Sequence, residues 1–266
     1  MRNDVIVFIF EGEKRESELV AHMTSHFFNG KNESIFINLP VKQNCYMLWQ
    51  QLKADEFNTD IIELLRESIP EAAEKLNGIS RQQIDQIFMF FDYDPHQNNL
   101  PAAVNPKEVI AEMLEVFNNE TENGKLYISY PMIEALRDFS NIHCEPFYAC
   151  CVNKDDIPNY KTNSGNNNPY AQLKKYTIET WQNIIHIFCW KIACLFELNS
   201  LTYETYRNEI TPHSIYDMEN KLYDKGKCFV LSAIPEFMFD YFQIGFWKKF
   251  SALRNKHRKS CGFVVH

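Results

Sequence analysis

The sequence has no uninterrupted apolar stretch of about 18 residues, the length that a membrane-spanning helix needs, so it predicts no such helix. It contains neither of the two glycine-rich phosphate loops of nucleotide-binding proteins, so we do not expect the chain to hydrolyse ATP by itself. Its cysteines and histidines lack the paired spacing of a zinc site. There is no internal repeat and no heptad run.

A signal-peptide pattern is also missing, because Met1-Arg2-Asn3-Asp4 leads directly into a short apolar run. The eight cysteines are scattered along the chain rather than arranged as a compact disulfide framework. We therefore expect a cytoplasmic protein with free thiols, most of them buried as small apolar side chains.

The composition indicates a globular protein with an uneven charge distribution. Hydrophobic residues make up 45% and aromatic residues 14% of the 266 positions, which is enough for a substantial core. The net charge of −8 argues weakly against a general nucleic-acid coat. Residues 241–266 differ from this average, because they carry six lysines and arginines and no acid.

Strand-like and helix-like segments alternate in the first part of the chain. Short apolar runs predict strands, and 3.6-residue periodicity predicts the helices between them. We predict an α/β domain over residues 1–155, with a mostly parallel sheet flanked by helices, and a mainly helical region with a basic tail over 156–266. A polar linker or long loop is expected at 162–169. The predicted strands are Val5–Phe10, Ser34–Leu39, Ile87–Asp94, Lys125–Ser129 and, as a last strand, Glu145–Val152.

Two of these apolar runs end in carboxylates. Glu11 follows the first strand, and Asp92 and Asp94 end a later one. Residues i and i+2 of a strand point to one face, so both aspartates can reach one ion. Open α/β sheets place their sites at the carboxyl ends of the strands, and oxygen ligands suit hard divalent cations. The pattern predicts a site for Mg²⁺ or Mn²⁺.

Two further acids could join this site. Glu16 lies on the first turn of the following helix, and Glu134 follows the strand Lys125–Ser129. One or two metal ions held by such a cluster activate a water and stabilise the leaving oxygen of an in-line displacement at phosphorus. For Glu16 and Glu134, the alternative is a favourable acid near a helix amino terminus.

The segments Phe10-Glu11-Gly12 and Asp92-Tyr93-Asp94 resemble the Toprim domain, in which a strand ends in Glu-Gly and a later strand ends in Asp-x-Asp. The resemblance covers roughly residues 4–152. The sequence from Glu11 to Glu16 is particularly similar to that of small Toprim-type proteins of bacterial defence, including the overcoming-lysogenization-defect nucleases and the RloB-like group.

This resemblance implies roles for the acids. Glu11 would be a general acid/base or metal ligand, Asp92 and Asp94 metal ligands, and Glu16 a ligand of a second metal. The step from Tyr130 to Glu134 is similar to a Pro-x-x-Glu step of such proteins, which would place Glu134 near the site. The resemblance also implies a partner ATPase.

Basic residues in two places are candidates for contacts with nucleic acid. Lys14 and Arg15 lie in the first turn after Glu11, where a phosphate could reach them. In the basic tail, interleaved Phe246, Trp247 and Phe250 could stack on bases, or they could belong to the core behind a solvated helix face. The pattern of the apolar stretch 229–242 favours a place in the core, although the stretch could also form a contact in a homo-oligomer. The basic candidates of the tail are Lys248, Lys249, Arg254, Lys256 and Arg258.

Three hypotheses follow. The first is a Mg²⁺-dependent nuclease that cleaves DNA or RNA, including tRNA, as an effector of anti-phage defence. The second is a catalytically silent Toprim scaffold that binds a partner ATPase or senses a phage component, since no Ser-x-Glu and lysine set completes a two-metal site. The third is a primase-type nucleotidyl transferase, which the short chain and the lack of a zinc module disfavour.

Overall fold

The structure, a computed structural model, describes residues 5–28, 34–93, 99–138, 150–166, 168–251 and 264–265. Contacts within the chain divide it into two compact units, Met1–Tyr127 and Ile128–His266. The predicted domain boundary after residue 155 remains a prediction. No helix in the described ranges combines the length and apolar character needed to cross a membrane.

A five-stranded sheet in the order β2-β1-β3-β5-β4 forms the centre of the α/β part. Strand β1 lies between β2 and β3 and runs parallel to both, while β4 pairs antiparallel with β5. All six residues of β1 are buried, which explains the continuous apolar run. The strands are β1 (Val5–Phe10), β2 (Ile35–Pro40), β3 (Ile84–Asp92), β4 (Asn118–Asn119) and β5 (Gly124–Ser129).

A ladder of aromatic rings covers one face of this sheet. The register of β1 and β3 pairs Phe8 with Phe88 and Phe10 with Phe90. Their ring centroids lie 5.8 and 5.0 Å apart, and the Tyr127 ring lies 5.4 Å from that of Phe90. These cross-strand pairs fix the register that brings the carboxyl ends of β1 and β3 together.

Helices follow the strands of the first unit. Asn44, Asp60 and Asn105 each cap a helix by accepting a backbone N–H with their side chain. Pro106 occupies the first turn of its helix, as the sequence predicts. The helices are α1 (Lys14–Phe27), α2 (Cys45–Lys53), α3 (Ile61–Ser68), α4 (Pro70–Lys75) and α5 (Pro106–Val116).

The second unit is mainly helical, so the predicted α/β class with a helical C-terminal region is confirmed. Helix α10 is broken at Gln243, which has a positive φ of 55°, and Pro235 lies in its first turn. Two pairs of short strands accompany the helices. The elements are β6 (Cys151–Asn153), α6 (Tyr160–Asn163), α7 (Ile178–Leu195), β7 (Ser200–Leu201), α8 (Tyr203–Glu209), α9 (Pro212–Tyr223), β8 (Lys227–Phe229), α10 (Ala233–Ser251) and β9 (Val264–Val265).

The expected last strand, Glu145–Val152, is described only from Cys150 onward. Its described part is β6, which pairs antiparallel with β8 in a separate two-stranded sheet. Residues 145–149 of the expected strand lie outside the described residues. A local apolar pattern indicates a strand but not its partner, because the partner comes from a distant part of the chain.

The described part of the polar stretch 162–169 continues helix α6 to Asn163 and then forms a packed loop rather than an open linker. The Arg137 guanidinium donates to Ser164 Oγ and to the carbonyl of Lys161. The Asn168 amide donates to the carbonyls of Arg137 and Ser164. Of the two interpretations of this stretch, the loop is therefore the one that fits.

Five of the described cysteines are free, and three of these, Cys45, Cys189 and Cys228, are buried. Cys150 is in a disulfide. The expectation of free thiols is therefore wrong at Cys150, because the sequence spacing does not tell which sulfurs meet in space.

Candidate metal and nucleic-acid site

Glu11 and Asp92 meet at the carboxyl ends of the two neighbouring strands β1 and β3. The ladder continues past β1, since the Glu11 N–H donates to the Phe90 carbonyl at 3.3 Å. The Asp92 N–H donates in return to Glu11 Oε2, also at 3.3 Å. The parallel pairing thus brings together two acids that are 81 positions apart in the chain.

Glu16 folds back toward the same strand end. A Cβ atom added to Gly12 would lie only 2.7 Å from the carboxylate carbon of Glu16. Real Cβ atoms do not approach other atoms so closely, so the Glu16 carboxylate occupies space that exists because residue 12 is glycine. Glu-Gly at the end of β1 therefore positions an acid from the first turn of α1.

Lys42 lies next to Glu11 on the side of β2, and the sequence did not predict it. It follows β2, and its N–H donates to the Glu11 carbonyl at 2.9 Å. Its ammonium lies 3.4 Å from Glu13 Oε2 and 3.2 Å from Glu71 Oε2. Hydrogen bonds to Glu71 and then Glu13 raise the pKa of Lys42, so it stays charged. Its position after a strand next to β1 is a signal that could have identified it.

Cys45 is a second residue near Glu11 that was not among the site residues predicted from the sequence. It is fully buried at the start of α2. Burial, and then the charge of Glu11, raise the pKa of its thiol. Cys45 is therefore an inert thiol within the electrostatic influence of Glu11.

The acidic side chains at this strand end are chemically suited to bind a hard divalent cation. Glu11 and Asp92 offer carboxylate oxygens from adjacent strand ends, and Mg²⁺ is commonly held by one or two carboxylates together with water and substrate phosphate. Within the described ranges, no three His, Cys, Asp or Glu side chains group as a metal site. Asp94, the predicted third carboxylate, lies outside the described residues.

Glu134 belongs to the second unit, in a 3₁₀ helix spanning Ile133–Arg137. Its carboxyl group is buried, and Oε1 lies 3.3 Å from the ammonium of Lys161. An ion pair between a buried carboxylate and an exposed lysine is commonly structural rather than functional. The role of Glu134 as a metal ligand remains a prediction.

Some of the basic residues predicted to bind nucleic acid lie within the described residues, and others do not. Lys14 and Arg15 open α1, next to Glu13 and Glu16. Lys248 and Lys249 are exposed on α10. The candidates outside the described residues are Arg254, Lys256 and Arg258.

The aromatic residues between the basic residues of α10 belong to the core. Phe246, Trp247 and Phe250 are buried, and the Trp247 ring lies 4.9 Å from that of Phe239. These rings are not available to stack on bases, so that interpretation is wrong, and the alternative of core aromatics behind an exposed basic face holds.

Comparisons with protein-family models, with curated proteins and with solved structures found no match for this chain.

Proposed function

We propose that this chain is a Toprim-like, Mg²⁺- or Mn²⁺-dependent nuclease that hydrolyses phosphodiester bonds of DNA or RNA, with tRNA among the candidate substrates. The observation that supports the proposal most is the pairing of Glu11 and Asp92 at the ends of parallel strands, joined by the 3.3 Å hydrogen bond between them. Backbone pairing holds the two strand ends together, and two carboxylates there would favour a divalent cation, which would offset the negative charge that develops during the reaction.

In this proposal Glu11 serves as general acid/base or metal ligand, and Asp92, with Asp94, as metal ligand. Glu16 serves as a ligand of a second metal, and the role of Glu134 as a ligand stays a prediction from the sequence. A bound divalent ion would supply a water of lowered pKa and would stabilise the leaving oxygen. Lys14 and Arg15, and the basic residues from Lys248 to Arg258, contact the phosphate backbone, which is how proteins gain affinity without sequence specificity.

The biological setting is part of the same proposal. We place the protein in the cytoplasm, as an effector of bacterial anti-phage defence that works with a partner ATPase, since the chain has no phosphate loop of its own. A homo-oligomer is compatible with this arrangement.

The test is cleavage of plasmid DNA and total tRNA with Mg²⁺ or Mn²⁺ by wild type, Glu11→Gln and Asp92→Asn. Glu18→Gln is the matched control, because Glu18 is an exposed acid further along α1. We expect cleavage by wild type and Glu18→Gln, and a loss of at least about a hundredfold in the two site variants. Circular dichroism and thermal unfolding would verify that all four proteins are folded.

Equal cleavage by wild type and Glu11→Gln would overturn the assignment. If no protein cleaves, the same variants are compared for growth arrest when expressed in cells together with candidate ATPases. Growth arrest that depends on Glu11 supports the nuclease. Growth arrest by both wild type and Glu11→Gln supports the silent scaffold.

A further inference from the structure

The first unit contains a cavity of about 140 Å³ that takes no part in the proposed nuclease site. It lies between the end of α2, the start of α3 and the end of α5, and both aromatic and polar side chains line it. Since one water occupies about 30 Å³ of liquid, the cavity holds a group of a few heavy atoms rather than a nucleotide.

Two consecutive left-handed residues shape one wall. Glu56 and Phe57 both have φ of 60°, a conformation that costs a non-glycine residue about 1 kcal/mol or more. Strained backbone of this kind is often found at ligand-binding positions. Here it leads the chain from α2 into the cavity wall, which Phe57 lines.

The amides that line the cavity present acceptors. Asn58 and Asn123 each donate through Nδ2 to a backbone carbonyl, those of Asp55 and Val116. These bonds determine the amide orientation and leave each Oδ1 as an acceptor with no protein donor among the described residues. Thr59 donates its hydroxyl proton to Asp55, so its oxygen also remains an acceptor.

A carboxylate and an aromatic ring that line the cavity already contact cationic groups of the protein itself. The Asp60 carboxylate lines it and accepts from the Ile62 N–H, which caps α3, and from Arg81 Nε, both at 2.8 Å. Behind the wall, Asp55 Oδ1 is buried and accepts no hydrogen bond in the described structure. The Phe57 ring already attracts one cation, since Lys53 Nζ lies 5.6 Å from its centroid.

We propose that this cavity binds the guanidinium group of an alkylguanidinium ligand. A guanidinium is planar, carries five N–H donors in a fork, stacks on aromatic rings and is more weakly hydrated than an ammonium. It matches a small cavity lined by separate acceptor oxygens and aromatic side chains. The same group is found in free arginine and in the arginine side chain of a peptide.

The test is a titration of the whole protein with n-propylguanidinium, followed by backbone amide chemical shifts in NMR. The matched probe is n-propylurea, which has a similar shape and no charge. We expect saturable shifts centred on residues 57–61 and 116–123, and binding of the urea at least about tenfold weaker. Equal binding of both probes, or no saturable shifts with n-propylguanidinium, would overturn the proposal.

The variants Asn58→Leu and Asn123→Leu remove one acceptor each and should weaken binding of n-propylguanidinium by about fivefold or more. Asn118→Leu is the control, because Asn118 is an exposed amide that also donates to a backbone carbonyl but does not line the cavity. Unaltered binding in both cavity variants, each verified as folded by its NMR spectrum, would count against the site.

Free L-arginine and N-acetyl-arginine-methylamide then distinguish the two sources of the group. Tighter binding of N-acetyl-arginine-methylamide indicates that the ligand is a peptide. Tighter binding of L-arginine indicates a small molecule. The readout is binding and not nuclease activity, so this proposal stands or fails independently of the proposed function.

Discussion

At the scale of single residues, Gly12 is the position where the absence of a side chain matters most for the candidate site. The atoms nearest to its missing Cβ are the carboxylate atoms of Glu16, at the far end of a flexible side chain. An added methyl group therefore moves the carboxylate rather than the backbone.

We predict that Gly12→Ala lowers metal-dependent cleavage by about tenfold or more while leaving thermal stability nearly unchanged, because a displacement of about 1 Å at a reacting group is costly. The measurement is the cleavage rate with Mg²⁺ beside a thermal unfolding curve. Gly245→Ala is the control, since no described atom lies within 4 Å of a Cβ at that position. A fully active, stable Gly12→Ala protein would contradict a role for Glu16.

Glu219 is a second informative residue, in the core of the second unit. Its Oε2 accepts the Phe229 N–H at 3.1 Å, while its Oε1 is buried with no hydrogen-bond partner among the described residues. Burial raises the pKa of Glu219 well above 4.5. The folded protein therefore holds a proton on Glu219 at pH values where the unfolded chain has lost it.

This difference predicts a pH-dependent effect of Glu219→Gln. Wild type loses stability as pH rises from 4.5 toward the raised pKa of the folded state, because the folded state binds more protons than the unfolded state. Glutamine does not titrate, so the variant should gain in stability relative to wild type as pH rises above 4.5 toward the raised pKa of the folded state. Denaturant unfolding of both proteins across this range tests it, and a constant difference would refute it.

At the scale of elements, helix α2 is positioned by its amino-terminal cap. Asn44 accepts the Met47 N–H at 3.0 Å, and the charge of Glu11 acts on Cys45, the first helical residue. At the other end, Trp49 and Lys53 both bind the Glu112 carboxylate of α5, at 2.7 and 2.6 Å. The cap thus belongs to the same local structure that places Lys42 and Cys45 next to Glu11.

We predict that Asn44→Ala lowers the free energy of unfolding by about 1 kcal/mol, because one backbone donor of α2 loses its partner. Asn44→Asp should restore most of the loss, since aspartate caps equally well. Urea denaturation of the three proteins measures the effect. A loss of the same size in Asn44→Asp would show that the amide has a different role.

At the scale of the whole molecule, a buried cation joins distant segments of the second unit. Lys191 on α7 is almost fully buried, and its ammonium donates to the carbonyls of Asp138 and Val230 at 2.9 and 2.8 Å. Burial lowers the pKa of Lys191 to about 8, against the partial opposing effect of Asp138.

The lowered pKa predicts a stability change in alkaline solution. Between about pH 8 and 10.5 the unfolded chain holds a proton on Lys191 that the folded protein has released. Stability should therefore rise with pH in this window by up to about 3 kcal/mol relative to Lys191→Met, which does not titrate. Denaturant unfolding of both proteins from neutral pH upward tests this, and parallel curves would contradict it.

The sequence by itself determined the α/β class, the main strands and helices, and the acids that end β1 and β3, because apolar runs, helical periodicity and capping residues are local patterns. Tertiary structure alone decided that Lys42 and Cys45 flank Glu11, that the Glu16 carboxylate occupies the space above Gly12, and that β6 pairs with β8. It also decided that the aromatic residues of α10 are core. The reason is that strand order, side-chain burial and helix placement depend on partners distant in sequence, about which a local pattern carries no information.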